Sequence, residues 1–132
     1  MSETATATDR QAITEVMQLY IDGAATGEVS KLERAFHESA WMFGAMGDQR
    51  FDMPIGDFFN LAKAQPLKTD DNFEARVIDI EQTGDAATAT VEEHGAWGSV
   101  SFRDYFTLAR IDGDWKIVNK TFAHTGGEPP AG

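Results

Sequence analysis

Three observations predict an α+β fold in which helices cover one face of an antiparallel sheet. Apolar residues in the first half recur at helical spacing, the period changes to two after residue 72, and Gly84-Asp85 and Asp112-Gly113 divide the second half into hairpins. The first helix opens on a capping-box pattern, Thr8-x-x-Gln11, and places Ile13, Val16, Met17, Tyr20, Ile21 and Ala24 on one face before the glycines of DGAATGE end it. A second, shorter helix carries Val29, Leu32, Ala35 and Phe36 on one side and ends near the HES of residues 37–39. The aromatic stretch AWMFGAMGDQRFDM contains a Gly-Asp turn and predicts a short strand pair. Pro54 then sits where a helix favours its first residue, with Ile55, Phe58, Phe59 and Ala62 on the buried side and Pro66 as the stop. After LKTDDN, residues 73–83 and 86–97 form one predicted strand pair, and 99–111 and 115–124 form the other.

With 132 residues the chain fits one domain, expected over residues 8–125, with frayed ends at 1–7 and 126–132. A net charge of −11 argues against a phosphate backbone or an anionic membrane surface as partner. The absence of cysteine excludes disulfides, thiolate catalysis and Cys-ligated zinc. MSETATATDR has no apolar segment, and no apolar run reaches the ~20 residues that span a bilayer, so a cytoplasmic location is expected.

The faces of the hairpins pose the functional question. With Asp112-Gly113 as the tip, Arg110 faces Trp115, Leu108 faces Ile117, Phe106 faces Asn119 and Asp104 faces Thr121. Phe102, Asp104, Phe106, Leu108, Trp115, Ile117, Asn119 and Thr121 then share the more apolar face, the one expected to meet the helices. The preceding hairpin aligns Ile80 with Ala89, Ile78 with Val91 and Arg76 with Glu93, continuing to Gly95 and Trp97. A one-residue bulge would reverse such assignments. A buried carboxylate without a partner is costly, so Asp104 is paired, hydrated, protonated or lining a cavity. Two readings stay open: Asp104 accepts hydrogen bonds from Thr121 and Asn119 while Arg76 and Glu93 neutralise each other, or these groups form the polar floor of an apolar pocket.

The stretches VMQLYIDGAATGEVSKLERAFHESA and FRDYFTLARIDGDWKIVNKTF, with the order of elements between them, resemble the NTF2-like superfamily, which includes nuclear transport factor 2, ketosteroid isomerase and polyketide cyclases of the SnoaL type. The closing stretch is most similar to the branch labelled "putative lumazine-binding". The resemblance implies a cone: three N-terminal helices on a highly curved, mainly antiparallel sheet, a deep pocket, and a homodimer through the outer sheet face. Tyr20 matches the isomerase tyrosine that donates to the oxyanion, and Asp104 is the nearest candidate for its second acid. Where the isomerase has its general base, AWMFGAMG offers Gly44, so steroid isomerase chemistry is not expected.

The candidate catalytic residues are therefore Tyr20, Asp104 and His37. The candidate ligand-binding residues are Tyr20, Trp41, Phe43, Phe58, Trp97, Phe102, Asp104, Phe106, Asn119 and Thr121, against the competing reading that each aromatic is ordinary core. Glu92 and His94 share the outer face with no third ligand, so no metal is expected, and His124 is expected at the surface or an interface. No phosphate loop or nucleophile elbow is present, and no cofactor is expected. Three functions compete: a homodimeric binder of a small hydrophobic or aromatic ligand; a cofactor-free isomerase, dehydratase or cyclase acting on a small hydrophobic carbonyl compound; and a pure interaction module.

Overall fold

The computed structural model describes residues 7–128. Of the ends expected to fray, 1–7 and 126–132, Ala7 belongs to the first helix and Gly126 to the last strand, while residues 1–6 and 129–132 lie outside the described residues. Within them the chain runs α1 (Ala7–Thr26), α2 (Val29–Ala35), β1 (Phe36–Met46), β2 (Gln49–Pro54), α3 (Ile55–Ala64), β3 (Glu74–Thr83), β4 (Ala86–Ala96), β5 (Val100–Ile111) and β6 (Asp114–Gly126). The helical period of α1 buries Ile13, Met17, Tyr20, Ile21 and Ala24. Thr8 lies inside the helix rather than capping it. α2 is shorter than the pattern predicts: Phe36 stays buried but opens β1, because its side chain continues the apolar face equally well from a strand. Pro54 precedes α3, which buries Ile55, Phe58 and Ala62. The tip of the last hairpin has both Asp112 and Gly113 at positive φ (52° and 88°), as a two-residue turn matched to strand twist requires.

The six strands form one sheet in the order β2-β1-β6-β5-β4-β3, antiparallel except for β1 against β6. The helices pack on one face, over Ile80, Ala87, Ala89, Val91, Phe102, Phe106, Leu108, Trp115 and Ile117, to form the core. Several pairings contain a register shift, and each such bulge bends its strand.

Two bulges correct the expected faces. Leu108 pairs with Ile117, but Thr107 pairs with Asn119, so Val118 is the extra residue of β6. Beyond it the side-chain phase reverses: Lys120 and Phe122 turn inward and are buried, while Asn119 and Thr121 turn to the outer face. Phe106 thus faces Lys120, and Asp104 faces Phe122. In β3 the extra residue is Ile78; Val77 pairs with Val91, Arg76 pairs with Glu92, and Ile78 is exposed.

Candidate functional site

A cavity of about 350 Å³ opens between α3 and the inner face of the sheet. Phe51, Phe58, Phe102, Phe122 and Met42 form its walls, and Met46, Gln49, Leu61 and Gln65 surround its mouth. The rim is tied together through the backbone. The N–H of Leu67 donates to the Ala24 carbonyl, that of Trp97 donates to the Leu67 carbonyl (2.8 Å), and the Trp97 indole N–H donates to the Gln65 carbonyl (3.1 Å). Trp97 holds a φ of 51°, a conformation that bulky residues rarely adopt, and its indole lines the cavity while packing edge-on against Phe102.

At the floor stand Tyr20, Glu93 and Lys120. The Tyr20 hydroxyl lies 2.9 Å from Glu93 Oε2 and 2.9 Å from Asp104 Oδ2, and all three residues are buried. A phenol has one proton to donate. It can serve only one of the two carboxyl groups, so the other contact needs a proton on a carboxyl. Burial, followed by the nearby charge of Asp104, raises the Glu93 carboxyl well above its ordinary value, and the offsets from Lys120 and Tyr20 are smaller. The consistent arrangement is a relay in which the Glu93 acid donates to the Tyr20 oxygen and the Tyr20 O–H donates to Asp104. Burial and the two acids hold the Tyr20 phenol well above its ordinary value as well, so at neutral pH it remains a donor. Asp104 Oδ1 is buried with no hydrogen-bond partner.

Lys120 reaches the floor from β6. Its ammonium lies 4.7 Å from the ring centroids of Phe58 and Phe122 and 5.7 Å from that of Tyr20, and donates to Met42 Sδ at 3.7 Å. The Cβ-less backbone of Gly44 makes room for Phe122: an added Cβ would fall 2.4 Å from that ring.

Of the residues expected at a site, Tyr20, Phe58, Trp97 and Phe102 line the cavity. Asp104 stands behind the Tyr20 hydroxyl, and Phe106 is core, its ring 4.8 Å from that of Tyr20. Trp41 and Phe43 are corrected to the outer face, where Trp41 donates to Asp52, because β1 presents Met42 inward instead. Asn119 and Thr121 are outward for the bulge reason above, and Thr121 donates to Asn119 rather than to Asp104. His37 lies at the start of β1, away from the cavity lining, with its Nδ1 accepting from the Ser39 N–H. Arg76 pairs with Glu92, not Glu93. Arg103 binds Glu92 at 3.0 Å; loss of solvent works to raise the Glu92 carboxyl, and Arg103 and Arg76 outweigh it and hold it below its ordinary value.

Glu93 and Lys120 were missing from the candidate list. Alternation does place Glu93 inward, and β4 pairs with β5 as well as with β3, which sets Glu93 opposite Phe102 and diagonal to Asp104. Nothing in simple alternation marks Lys120, which depends on the bulge. Among the described residues no cluster of three His, Asp or Glu side chains could hold a metal ion, and no helix is long and apolar enough to cross a membrane.

Residues 8–123 match the model of a family described as "Putative lumazine-binding". Among solved structures, an NTF2-like protein of unknown function from Methylobacillus flagellatus KT is 35% identical, with 95% of this chain and 98% of that one covered at a TM-score of 0.85. An NTF2-like protein of unknown function from Shewanella baltica OS155 is 25% identical, with 94% and 99% covered at 0.84. A ketosteroid isomerase-like protein from Erwinia carotovora atroseptica SCRI1043 is 10% identical, with 92% and 100% covered at 0.74, a likeness of fold alone. Among curated proteins nothing matches the sequence.

Proposed function

The chain belongs to the family described as "Putative lumazine-binding", with an NTF2-like fold, and on that premise we propose that it binds a flat, mostly apolar molecule of one or two fused rings between α3 and the sheet. The carrying observation is the cavity: apolar walls converge on a few buried polar groups, and its volume of about 350 Å³ suits a compact ligand, small-molecule sites running from ~300 to ~1,000 Å³. The family description supports a heteroaromatic such as lumazine as a first probe. A thermal-shift panel of lumazine, 2-naphthol, 2-naphthoate and small cyclic ketones tests the reading. A true ligand at about 100 times its Kd adds about 2.7 kcal/mol and raises Tm by roughly 10 °C. Flat shifts across the panel would contradict it.

A second reading, a cofactor-free isomerase, dehydratase or cyclase acting on a small hydrophobic carbonyl compound, is favoured by the Tyr20–Glu93–Asp104 relay, which places a raised acid at the cavity. Glu93, rather than the sequence candidate His37, would act as general acid, giving its proton to the carbonyl oxygen while solvent water takes the α-proton and the enol forms, with Tyr20 and Asp104 tuning the acid. Exchange of α-protons of a bound cyclic ketone in D₂O, abolished in Glu93→Gln, is the expected result; no exchange above the buffer rate would exclude this reading.

The assembly that fits is a homodimer through the outer sheet face. The registers align Phe43, Thr121, Tyr105 and Thr90 in one row across four strands, and Tyr105 is 50% exposed.

A further inference from the structure

Lys120 raises a narrower question, one that rests on the pocket reading above. It is 5% exposed and lines the cavity. An ammonium has three donors, and the hydrogen bond recorded for this one goes to a thioether sulfur, a weak acceptor. None of the ion pairs among the described residues includes it. The ring faces of Phe58, Phe122 and Tyr20 return part of the lost hydration, but they accept no directed hydrogen bond of ordinary strength. Glu93 feels the Lys120 charge, but no carboxylate oxygen of the described residues lies within ion-pair distance of the ammonium, and Glu93 Oε2 and Asp104 Oδ2 are both turned to the Tyr20 hydroxyl. A buried cation with donors to spare at the floor of an apolar cavity calls for an acceptor that enters from outside.

We propose that the pocket selects ligands bearing an oxygen anion, a carboxylate or an enolate, on a flat ring system, and that Lys120 is the residue that reads that charge. The long-range field works against an anion, because the chain carries a net charge of −11. A preference for the charged form therefore has to arise locally, and Lys120 is the only buried basic residue among those described. If Lys120 served only to balance the carboxyl pair behind it, an anionic ligand would gain nothing over a neutral one of the same shape.

Calorimetric titration of the full chain with 2-naphthoate and with its neutral isostere 2-naphthamide separates these cases. The naphthoate is expected to bind at least about tenfold more tightly, the value of one charged hydrogen bond. Lys120→Met, of similar length and apolar, is expected to remove that advantage, so that the ratio of naphthoate to naphthamide affinity falls to about one. On the unmodified protein, the Lys120 Nζ resonance is expected to move with naphthoate and not with naphthamide, a readout that does not depend on the variant folding. Equal affinities for the two probes, a preference that survives Lys120→Met, or a Nζ resonance indifferent to naphthoate would each overturn the assignment while the pocket reading stands. Failure of both probes to bind would overturn the two together.

Discussion

Tyr20 is the residue on which the floor depends. Its hydroxyl accepts from the Glu93 acid and donates to Asp104, and Tyr20→Phe leaves both without that partner. A loss of about 1–3 kcal/mol is expected, read from urea unfolding, although the ring packing against Phe36, Phe58 and Phe106 is unchanged. Glu93 gives the same cluster a pH signature. Its carboxyl is raised in the folded chain, so its contribution is fully present below the ordinary value of 4.5 and is lost as pH rises through the folded value. Glu92 works the other way: its lowered carboxyl contributes above 4.5 and loses that contribution only as pH falls. Stability is therefore expected to decline from pH 5 upward in the native sequence and to hold nearly level over that window in Glu93→Gln; equal slopes in the two proteins would remove the shared proton from the description. At this scale the sequence was half legible. Helical spacing alone turned Tyr20 inward, and alternation turned Glu93 and Asp104 inward, but their meeting depends on which strands are neighbours, and Glu93 was paired with Arg76 instead.

Elements were read more securely than faces, and β6 shows why. Strand bounds follow from alternation and turn residues, whereas the side of the sheet that a residue occupies changes with one inserted residue. Val118 supplies that insertion, aiming Lys120 and Phe122 at the cavity in place of Asn119 and Thr121. Phe122 packs against Phe51 and Phe102, so Phe122→Ala is expected to cost about 3 kcal/mol or more, while Thr121→Ala stays within about 0.5 kcal/mol. The reverse order in chemical denaturation would restore an unbulged strand. The connection from β4 to β5 carries a different cost, Trp97 at positive φ. Trp97→Gly relieves that conformation but removes a cavity wall, so weaker binding of 2-naphthoate is expected, the relief offsetting only part of the lost packing on Phe102 and the lost indole hydrogen bond to Gln65.

Across the whole molecule, three helices on one sheet face leave a gap where α3 ends, and the apolar cavity forms there, while the opposite face presents an aromatic and threonine row. The α+β order, the three helices and the antiparallel sheet were legible because each depends on local periodicity. The cavity was legible in part, through Tyr20, Phe58, Trp97 and Phe102, because its lining comes from α1, β1, β2, α3, β4, β5 and β6, which are separated along the chain. If the outer row joins two copies, Tyr105→Glu is expected to halve the mass seen by light scattering without altering ligand affinity; an unchanged mass would place the interface elsewhere. The central claim, that this cavity takes a small molecule, is met most directly by the methionine methyl resonances. Met42 and Met46 line the cavity, while Met17 is buried outside its lining and Met53 lies elsewhere on β2. Titration of [¹³C-methyl]methionine-labelled protein with 2-naphthoate should move the Met42 and Met46 signals saturably and leave Met17 and Met53 in place; movement of Met53 alone, or no movement at all, would contradict it.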